Sequence, residues 1–386
     1  MTTSMTAVRA VAEVVVDLDA IAHNTRLLAE RVTPHAETMA VVKADGFGHG
    51  VIPVARAALA NGATWLGVTS IVEAMRVRAA GIDAPVLAWL YGLKDAFDEA
   101  IRADVDLSVS SPEHLRAIAD AAVEAGAQAR VHLKADTGLT RNGVAWTDWP
   151  DLVLQARARE VDGSIRVRGV WSHLASADDP GNPSIRQQIG RFRQAVAIAR
   201  AAGLDPRLCH LANSAAILDV PDSHFDLVRA GLAVYGIEPI PGRDNGLRRA
   251  MTLRARAVNV KRVPAGTGVS YLHDYITPNE TTVVLVPLGY ADGVPRKTSN
   301  RASVWLGGAR WPVAGRVAMD QFVVDAGDLA VRIGDDVVLF GPGDDGEPTV
   351  EEWAQWAETN PHEILTGIGA RVPRRYLPVR QEHLHG

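Results

Sequence analysis

The sequence predicts an α/β protein in two parts, a (β/α)8 TIM-type barrel followed by a β-rich C-terminal domain. Three observations carry this expectation. Short apolar runs alternate with helical patterns over about the first 240 residues. Eight such runs in that length match the usual size of a (β/α)8 barrel. Past Ile240-Pro-Gly-Arg-Asp-Asn-Gly246, which reads as a linker, the helical patterns nearly vanish and β-branched runs punctuated by Gly and Asp take over.

In chain order, residues 1–7 are Thr-rich and read as a frayed start. Residues 13–17 read as a strand. Asp17-Leu-Asp-Ala then caps a helix to about Arg31, with Ile21, Leu27 and Leu28 at helical spacing. The eight apolar runs lie at 39–42, 65–68, 86–90, 105–109, 129–133, 167–171, 208–212 and 225–228. Helical patterns such as 73–80, 112–125 and 185–202 lie between most of them, which implies a parallel sheet with helical crossovers. The run at 105 is short and weak. An open doubly wound sheet is the alternative, although no Gly-x-Gly-x-x-Gly opens a helix. Strands are expected at 251–259, 282–288, 302–306, 311–317, 322–324 and 336–340, then a short helix at 348–358 and a closing strand at 374–379. The expected domains are therefore 1–245 and 246–386, with the strand at about 12–17 able to pair with the second.

Composition excludes several classes. With 386 residues, 47% of them hydrophobic and 22% charged, the chain is an ordinary soluble globular protein of about two domains. A net charge of -5 with signs interspersed points to neither nucleic acid nor a membrane surface as partner. The lone Cys209 excludes an intramolecular disulfide and any cysteine-based zinc site, reads as a core residue, and suits a reducing compartment. No metal site is expected. Arg9 and Glu13 interrupt the N-terminal apolar stretch, so no secretory signal is expected, and the location implied is cytoplasmic.

The chemistry centres on residues 37–50. Met39 to Val42 form a wholly apolar run ended by Lys43, and Gly46, Gly48 and Gly50 break the next residues into a turn. A lysine at the carboxyl end of a buried strand is costly unless paired or used. In a barrel that end opens onto the active site. Desolvation there favours the neutral amine, which suits Schiff-base chemistry. On the local pattern alone, a surface lysine placed just after a strand is an equal reading.

Ala40-Val-Val-Lys-Ala-Asp-Gly-Phe-Gly-His-Gly50 resembles the pyridoxal-phosphate lysine motif of the alanine racemase family, and the resemblance recurs along nearly the whole chain. It implies a pyridoxal 5'-phosphate cofactor, a small amino-acid substrate, a homodimer with shared active sites, and interconversion of L- and D-alanine. Stereoinversion is simplest with two bases on opposite faces of the α-carbon. By resemblance these are Lys43 and Tyr271, the latter in Gly268-Val-Ser-Tyr271 and reaching into the partner subunit's barrel. A free phenol ionises near pH 10, so such a tyrosine needs cationic or strongly hydrogen-bonding neighbours. Tyr275 reads instead as a strand residue packing a sheet.

His173, in Val170-Trp-Ser-His-Leu174, is implied to stack near the cofactor ring and to bond towards Tyr271; a core histidine bonded to backbone is the other reading. Arg229, in Val228-Arg-Ala-Gly-Leu-Ala-Val-Tyr-Gly236, matches the arginine facing the ring nitrogen. An arginine keeps its proton, so that nitrogen stays an acceptor and the ring a weaker electron sink, which favours racemisation over transamination or decarboxylation. In Leu133-Lys-Ala-Asp-Thr-Gly-Leu-Thr-Arg-Asn-Gly143, Arg141 is implied to position the phenol and the substrate carboxylate, and Lys134 to be open to carbamylation. Ser214, in His210-Leu-Ala-Asn-Ser214, and the backbone of Gly231 and Leu232 are implied to hold the phosphate, at the late barrel loops where this fold usually binds it. Met319, in Gly315-Arg-Val-Ala-Met-Asp-Gln321, is implied to offer its N–H to the substrate carboxylate from the partner chain. Asp178, Arg296 and Arg316 match residues lining a narrow entrance, with Tyr290 at its mouth.

Two positions depart from the pattern. Phe47 stands where the motif usually has tyrosine, and Pro361-His-Glu363 stands where it has Asn-Tyr-Glu. Both tyrosines normally reach the phosphate. Losing one hydroxyl removes a hydrogen bond worth about 1–3 kcal/mol to a charged acceptor, while His362 can restore a donor. Weaker cofactor retention and an altered substrate pocket are the expectation. Two alternatives remain beside the main reading: a racemase of another or broader set of amino acids, and a pyridoxal-phosphate-binding regulator without turnover.

Overall fold

The structure, a computed structural model, describes residues 10–379; the reading of residues 1–7 as a frayed start lies outside them. Two compact units emerge. Of the described residues, one comprises Ala20–Gly46 and Val51–Arg248; the other takes residues 10–19, Phe47–Gly50 and residues 249–379.

Strand β1 (Ala12–Asp17) belongs to the second unit. The first unit is built on β2 (Glu37–Val41), β3 (Trp65–Val68), β4 (Val86–Ala88), β5 (Asp106–Val109), β6 (Ala129–Lys134), β7 (Ile165–Trp171), β8 (Leu208–His210) and β9 (Leu227–Ala230). Neighbours pair in parallel in sequence order, and β9 returns to pair with β2 through registers such as Met39 with Arg229. Backbone bonds close the remaining seam. Asp226 N–H donates to Cys209 O (2.9 Å) and Arg229 N–H to Ala212 O (3.0 Å), on either side of the β8–β9 junction. The sheet is thus a closed barrel, and the open doubly wound alternative is excluded. The weak run at 105 does form a strand, and its weakness has a cause: Asp106 and Ser108 are buried polar residues whose partners come from other strands.

The outer helices start where their caps dictate. Ser70 and Glu73 form a capping box for Ile71–Ala79, and Ser111 with Pro112 at the first position starts Pro112–Ala125. Asp17 Oδ1 accepts the Asp19 N–H (2.9 Å) at the head of Leu18–Arg31. Met39, Trp65, Leu87 and Leu227, from four different strands, pack together in the barrel core. Burying four such side chains is worth roughly 1.5–3 kcal/mol each for the aliphatic ones.

The second unit holds β10 (Met251–Arg256), β11 (Asn259–Val263), β12 (Gly268–Val269), β13 (Tyr275–Ile276), β14 (Thr281–Val286), β15 (Ser303–Leu306), β16 (Ala309–Ala314), β17 (Phe322–Asp325), β18 (Asp336–Phe340) and β19 (Arg374–Leu377). Nine strands make one sheet in the order β11-β14-β17-β16-β15-β18-β10-β1-β19, and β12 pairs with β13 apart from it. The N-terminal strand β1 lies between β10 (antiparallel) and β19 (parallel). Glu13 fastens it to both neighbours through Arg254 (2.6 Å) and Arg375 (3.2 Å). Burial pushes the Glu13 carboxyl up, but these arginines outweigh it and hold the group below the usual carboxylate range.

Helix Val350–Ala357 carries a Thr349–Glu352 capping box. A further helix, Pro361–Gly367, was not expected, although Asn360 as N-cap and Pro361 at the first position are its start signals. Among the described residues no helix is long and apolar enough to cross a membrane.

Candidate active site

Parallel strands put every carboxyl end on one rim of the barrel, and that rim gathers the chemistry. Lys43 comes just after β2, Lys134 ends β6, His173 comes after β7, Ser214 after β8, and Arg229 lies near the end of β9 with Gly231 just after it. Behind Lys43 the chain makes a left-handed turn, with φ of 52°, 53° and 63° at Ala44, Asp45 and Gly46. Only glycine adopts this freely; each other residue costs about 1–2 kcal/mol. The turn is held by Gly46 N–H to Val42 O (2.9 Å), Ala44 N–H to Glu73 Oε1 (2.7 Å) and Val51 N–H to Asp45 Oδ1 (3.1 Å). Backbone strain is therefore stored next to the candidate nucleophile.

The rim is cationic. Burial, and then the charge of Arg141, lower the basicity of Lys43 against the opposing pull of Glu73. Lys134 is only 5% exposed, with Nζ 4.1 Å from the centre of the Trp171 ring. Its ammonium is pulled down to about 7 by burial, then by Arg229 and Arg141, with Asp136 opposing. Burial and the same cations push His173 well below the ordinary histidine range, so its ring is neutral. Four cationic side chains against Glu73 and Asp136 make a site that selects anions.

A stability consequence attaches to Lys134. Between about pH 7 and 10.5 the folded amine is neutral while the unfolded one still carries its proton. Stability therefore rises with pH across that window, and the penalty is complete below about pH 7. Denaturant titrations of the unmodified protein and Lys134→Met at pH 7 and pH 9.5 check this. The variant should be favoured at pH 7, and the gap should narrow at pH 9.5; a constant gap refutes it.

Arg229 is held from several directions. Its NH1 donates to His210 Nδ1 (3.1 Å), and NH2 donates to Ser172 O (2.7 Å), Leu211 O (3.1 Å) and His173 Nδ1 (3.1 Å). Burial lowers it to about 9, which still leaves a cation at neutral pH. The indole of Trp171 lies 4.9 Å from its guanidinium carbon, and His210 stacks on that indole at 5.4 Å and 9°. Ser214 Oγ accepts the N–H of Gly231 (2.9 Å) and of Ala233 (3.3 Å). The Ser214 hydroxyl and the Gly231 amide are thus paired with each other in this structure. Leu232 opens the turn Leu232–Tyr235, where a first N–H has no acceptor within the turn. Tyr235 hydroxyl donates to Val41 O (2.9 Å), joining this turn to β2. Asp178 is exposed in the stretch before the helix Pro183–Ala201.

The second unit holds the remaining candidates. Tyr271 is 68% exposed in a turn with positive φ at Ser270 (62°), Leu272 (59°) and His273 (50°). Ser270 Oγ donates to Arg316 O (2.7 Å), and Arg316 itself pairs with Asp274. Gly315 fits beside this turn because a Cβ there would come within 2.7 Å of Val269 O. Ala291 N–H donates to Met319 O (2.9 Å) and Tyr290 N–H to Ala318 O (3.1 Å), so the Tyr290 and Met319 loops are tied together. Tyr290 and Arg296 share a cleft with Lys297, Thr359 and Ile364. Phe47 is buried and lies 5.7 Å, centre to centre, from the exposed His362 ring. Tyr275 donates to Asp325 (2.6 Å); burial and this bond push its phenol up to about 12.

Sequence reading singled out none of Asp106, His132, His210 or Trp171 as functional, yet all four lie buried behind Arg229 or linked to it. A histidine or aspartate inside a wholly buried strand run was the available signal.

Two family models match the chain: "Alanine racemase, N-terminal domain" over residues 16–239 and "Alanine racemase, C-terminal domain" over 250–376. The chain is 56% identical to the alanine racemase of Frankia casuarinae, over 94% of this chain and 95% of that protein. It is 54% identical to that of Thermobifida fusca, over 95% and 98%. The crystal structure of alanine racemase from D-cycloserine producing Streptomyces lavendulae superposes with a TM-score of 0.94 at 49% identity, covering 98% of this chain and 100% of that one.

Proposed function

Because this chain belongs to the alanine racemase family, we propose that it interconverts L- and D-alanine with Lys43 and Tyr271 as bases on opposite faces of the α-carbon. Racemisation of alanine, an isomerase activity, is the function its relatives carry. The observation that carries the residue assignment is the barrel rim, which holds both a lysine of lowered basicity and an arginine pinned as a donor: Lys43 after β2 and Arg229 on the neighbouring β9.

The rim fits pyridoxal 5'-phosphate. Its excess of cations calls for an anion, Lys43 is a nucleophilic amine, Arg229 would meet a ring nitrogen as a donor only, and the Ser214 hydroxyl, which accepts from Gly231 and keeps its own proton to give, would with the Leu232 N–H supply neutral donors for a phosphate. When bound, that group supplies a carbonyl for the substrate amine and a ring that takes up charge from the α-carbon. Phe47 and His362, whose rings lie together in the second unit, stand at the positions where the family motif has phosphate-contacting tyrosines.

Lys43 accepts or returns the α-proton on one face and Tyr271 does so on the other. Neutral His173 accepts from Arg229 at Nδ1, so its proton sits on Nε2, ready to donate towards the phenol. Arg141 positions the phenol and the substrate carboxylate, and the N–H of Met319 meets the same carboxylate. Lys134, with an amine half neutral near pH 7, is suited to carbamylation, which would turn a cation into an anionic partner for Arg141. Asp178, Arg296, Arg316 and Tyr290 line the approach.

We assign Tyr271 and Met319 to the partner's site in a homodimer. Tyr271, Leu272, Ile276 and Met319 are large, exposed and apolar on one unit, the composition of a surface that another chain covers. A cytoplasmic location accords with the buried free thiol of Cys209.

The test is α-proton exchange in D₂O monitored by NMR on the cofactor-loaded protein, with L-alanine beside L-serine and larger amino acids, and chirality read at the end. Fastest exchange with racemisation for alanine is expected. Faster turnover of another amino acid would shift the specificity, through the pocket that Phe47 and His362 alter.

A further inference from the structure

Behind Arg229 runs a chain of buried side chains that the two-base scheme does not use. Asp106 Oδ2 meets His132 Nε2 at 3.0 Å, His132 Nδ1 meets His210 Nε2 at 2.9 Å, and His210 Nδ1 meets Arg229 NH1 at 3.1 Å. The four residues sit on four different strands, β5, β6, β8 and β9, and all are buried. A guanidinium can only donate and a carboxylate can only accept. The protons are therefore ordered. Arg229 donates, so His210 carries its proton on Nε2; that proton points at His132 Nδ1, so His132 carries its own on Nε2, towards Asp106. Every bond runs in one direction only when both rings are neutral and in this tautomer. Burial and the nearby Arg229 charge favour the neutral form of His210, in keeping with this order.

We infer that Asp106 is a positioning residue for racemisation: through His132 and His210 it orients the donor face of Arg229. The inference rests on the role proposed above for Arg229. Asp106 also takes Arg130 Nε (3.0 Å) and Arg168 NH1 (3.2 Å), so its charge is anchored away from the rim and cannot turn to track the histidines. His132 is boxed by the edge of Trp65 (5.7 Å, 73°) and His210 by the stacked Trp171, which fixes both ring planes. If the last proton in the line is reversed, His210 presents N–H to a guanidinium N–H, and the NH1 contact becomes repulsive. Arg229 must then turn.

The experiment uses protein labelled with ¹⁵N-histidine, in which NMR reads the protonation of each ring nitrogen of His132 and His210, together with kcat and KM for alanine. In Asp106→Asn the two arginines claim the amide oxygen, so its NH₂ faces His132 and reverses both tautomers. His132→Phe breaks the line while leaving the Asp106 ion pairs, and His132→Gln, which can accept through Oε1 and donate through Nε2, restores its direction. Expected are Nε2-H on both rings in the unaltered protein, Nδ1-H on His210 in Asp106→Asn, and a fall in kcat of roughly 10–100-fold in Asp106→Asn and His132→Phe, the range seen when outer partners of a functional group are removed. Partial recovery is expected in His132→Gln. Arg130→Met serves as the control for structural support: it loses one ion pair of Asp106, but Arg168 still anchors the carboxylate and the line to Arg229 is intact, so kcat should stay close to that of the unaltered protein. Unchanged His210 protonation with unchanged kcat in Asp106→Asn and His132→Phe overturns the inference, as does an equal kcat loss in Arg130→Met. An unaltered protein that fails to racemise alanine refutes the role of Arg229 instead, and the tautomer readout separates the two. Should Asp106→Asn not fold, the His132 pair decides.

Discussion

Tyr271→Phe is expected to stop inversion while exchange of the α-proton continues from one antipode. The phenyl ring keeps the shape of the exposed turn and removes only the hydroxyl that would carry the proton. Loss of a positioned acid–base group costs about 10²–10⁴-fold in rate. Racemisation in both directions should fall by that amount, because each direction needs both bases. Exchange in D₂O should divide by antipode: Lys43 still removes the proton from the enantiomer presented on its face. Chiral analysis beside ²H incorporation reads both at once. Equal loss of exchange from both antipodes would show that the tyrosine does something other than transfer a proton on one face. The turn itself is expected to survive, since its strained residues are Ser270, Leu272 and His273 and its ties run through Ser270.

Lys43→Ala removes both roles assigned to one amine, and the expected loss of racemisation is at least about 10³-fold. Borohydride treatment of the loaded protein should attach the cofactor to residue 43 in the unaltered chain and to no residue in the variant, as peptide mapping would read. The variant should fold, because burial already opposes the Lys43 ammonium and alanine removes that cost. Retained exchange from both antipodes in Lys43→Ala would end the two-base assignment. Cofactor attached elsewhere, with Lys134 the obvious second amine, would move the site from the end of β2 to the end of β6.

The two variants separate because the groups come from different units of the fold. Lys43 belongs to the barrel rim and Tyr271 to the β-rich unit. Mixing Lys43→Ala with Tyr271→Phe protein should therefore regain activity only if each site draws one residue from each subunit.

Most of the barrel was legible in the sequence because its signals are local. Eight apolar runs became eight strands, and Ser70, Ser111 and Thr349 start helices where their spacing to the next residues says they should. Lys43 stood out less sharply: an apolar run ended by a lysine and then glycines suits a surface lysine equally well, and the resemblance of the motif to the family's singled it out. Gly46 announced a turn. That Ala44 and Asp45 also take left-handed angles was not legible, because the N–H of Ala44 is satisfied by Glu73, 29 residues further on.

The positions of the chemistry-bearing residues along the strands and the alternation that makes the sheet parallel come from the chain itself, since each depends on neighbours within a few residues and on side-chain type; the choice of the proposed catalytic pair comes from motifs that resemble those of the family. Closure of the sheet, the lowered basicity of Lys134 and the line from Asp106 to Arg229 do not. Those depend on which buried groups face each other after the strands assemble. His132 and His210 are 78 residues apart in sequence and 2.9 Å apart in the fold. Desolvation and hydrogen-bond direction act over ångströms in space, and only the tertiary structure sets that distance.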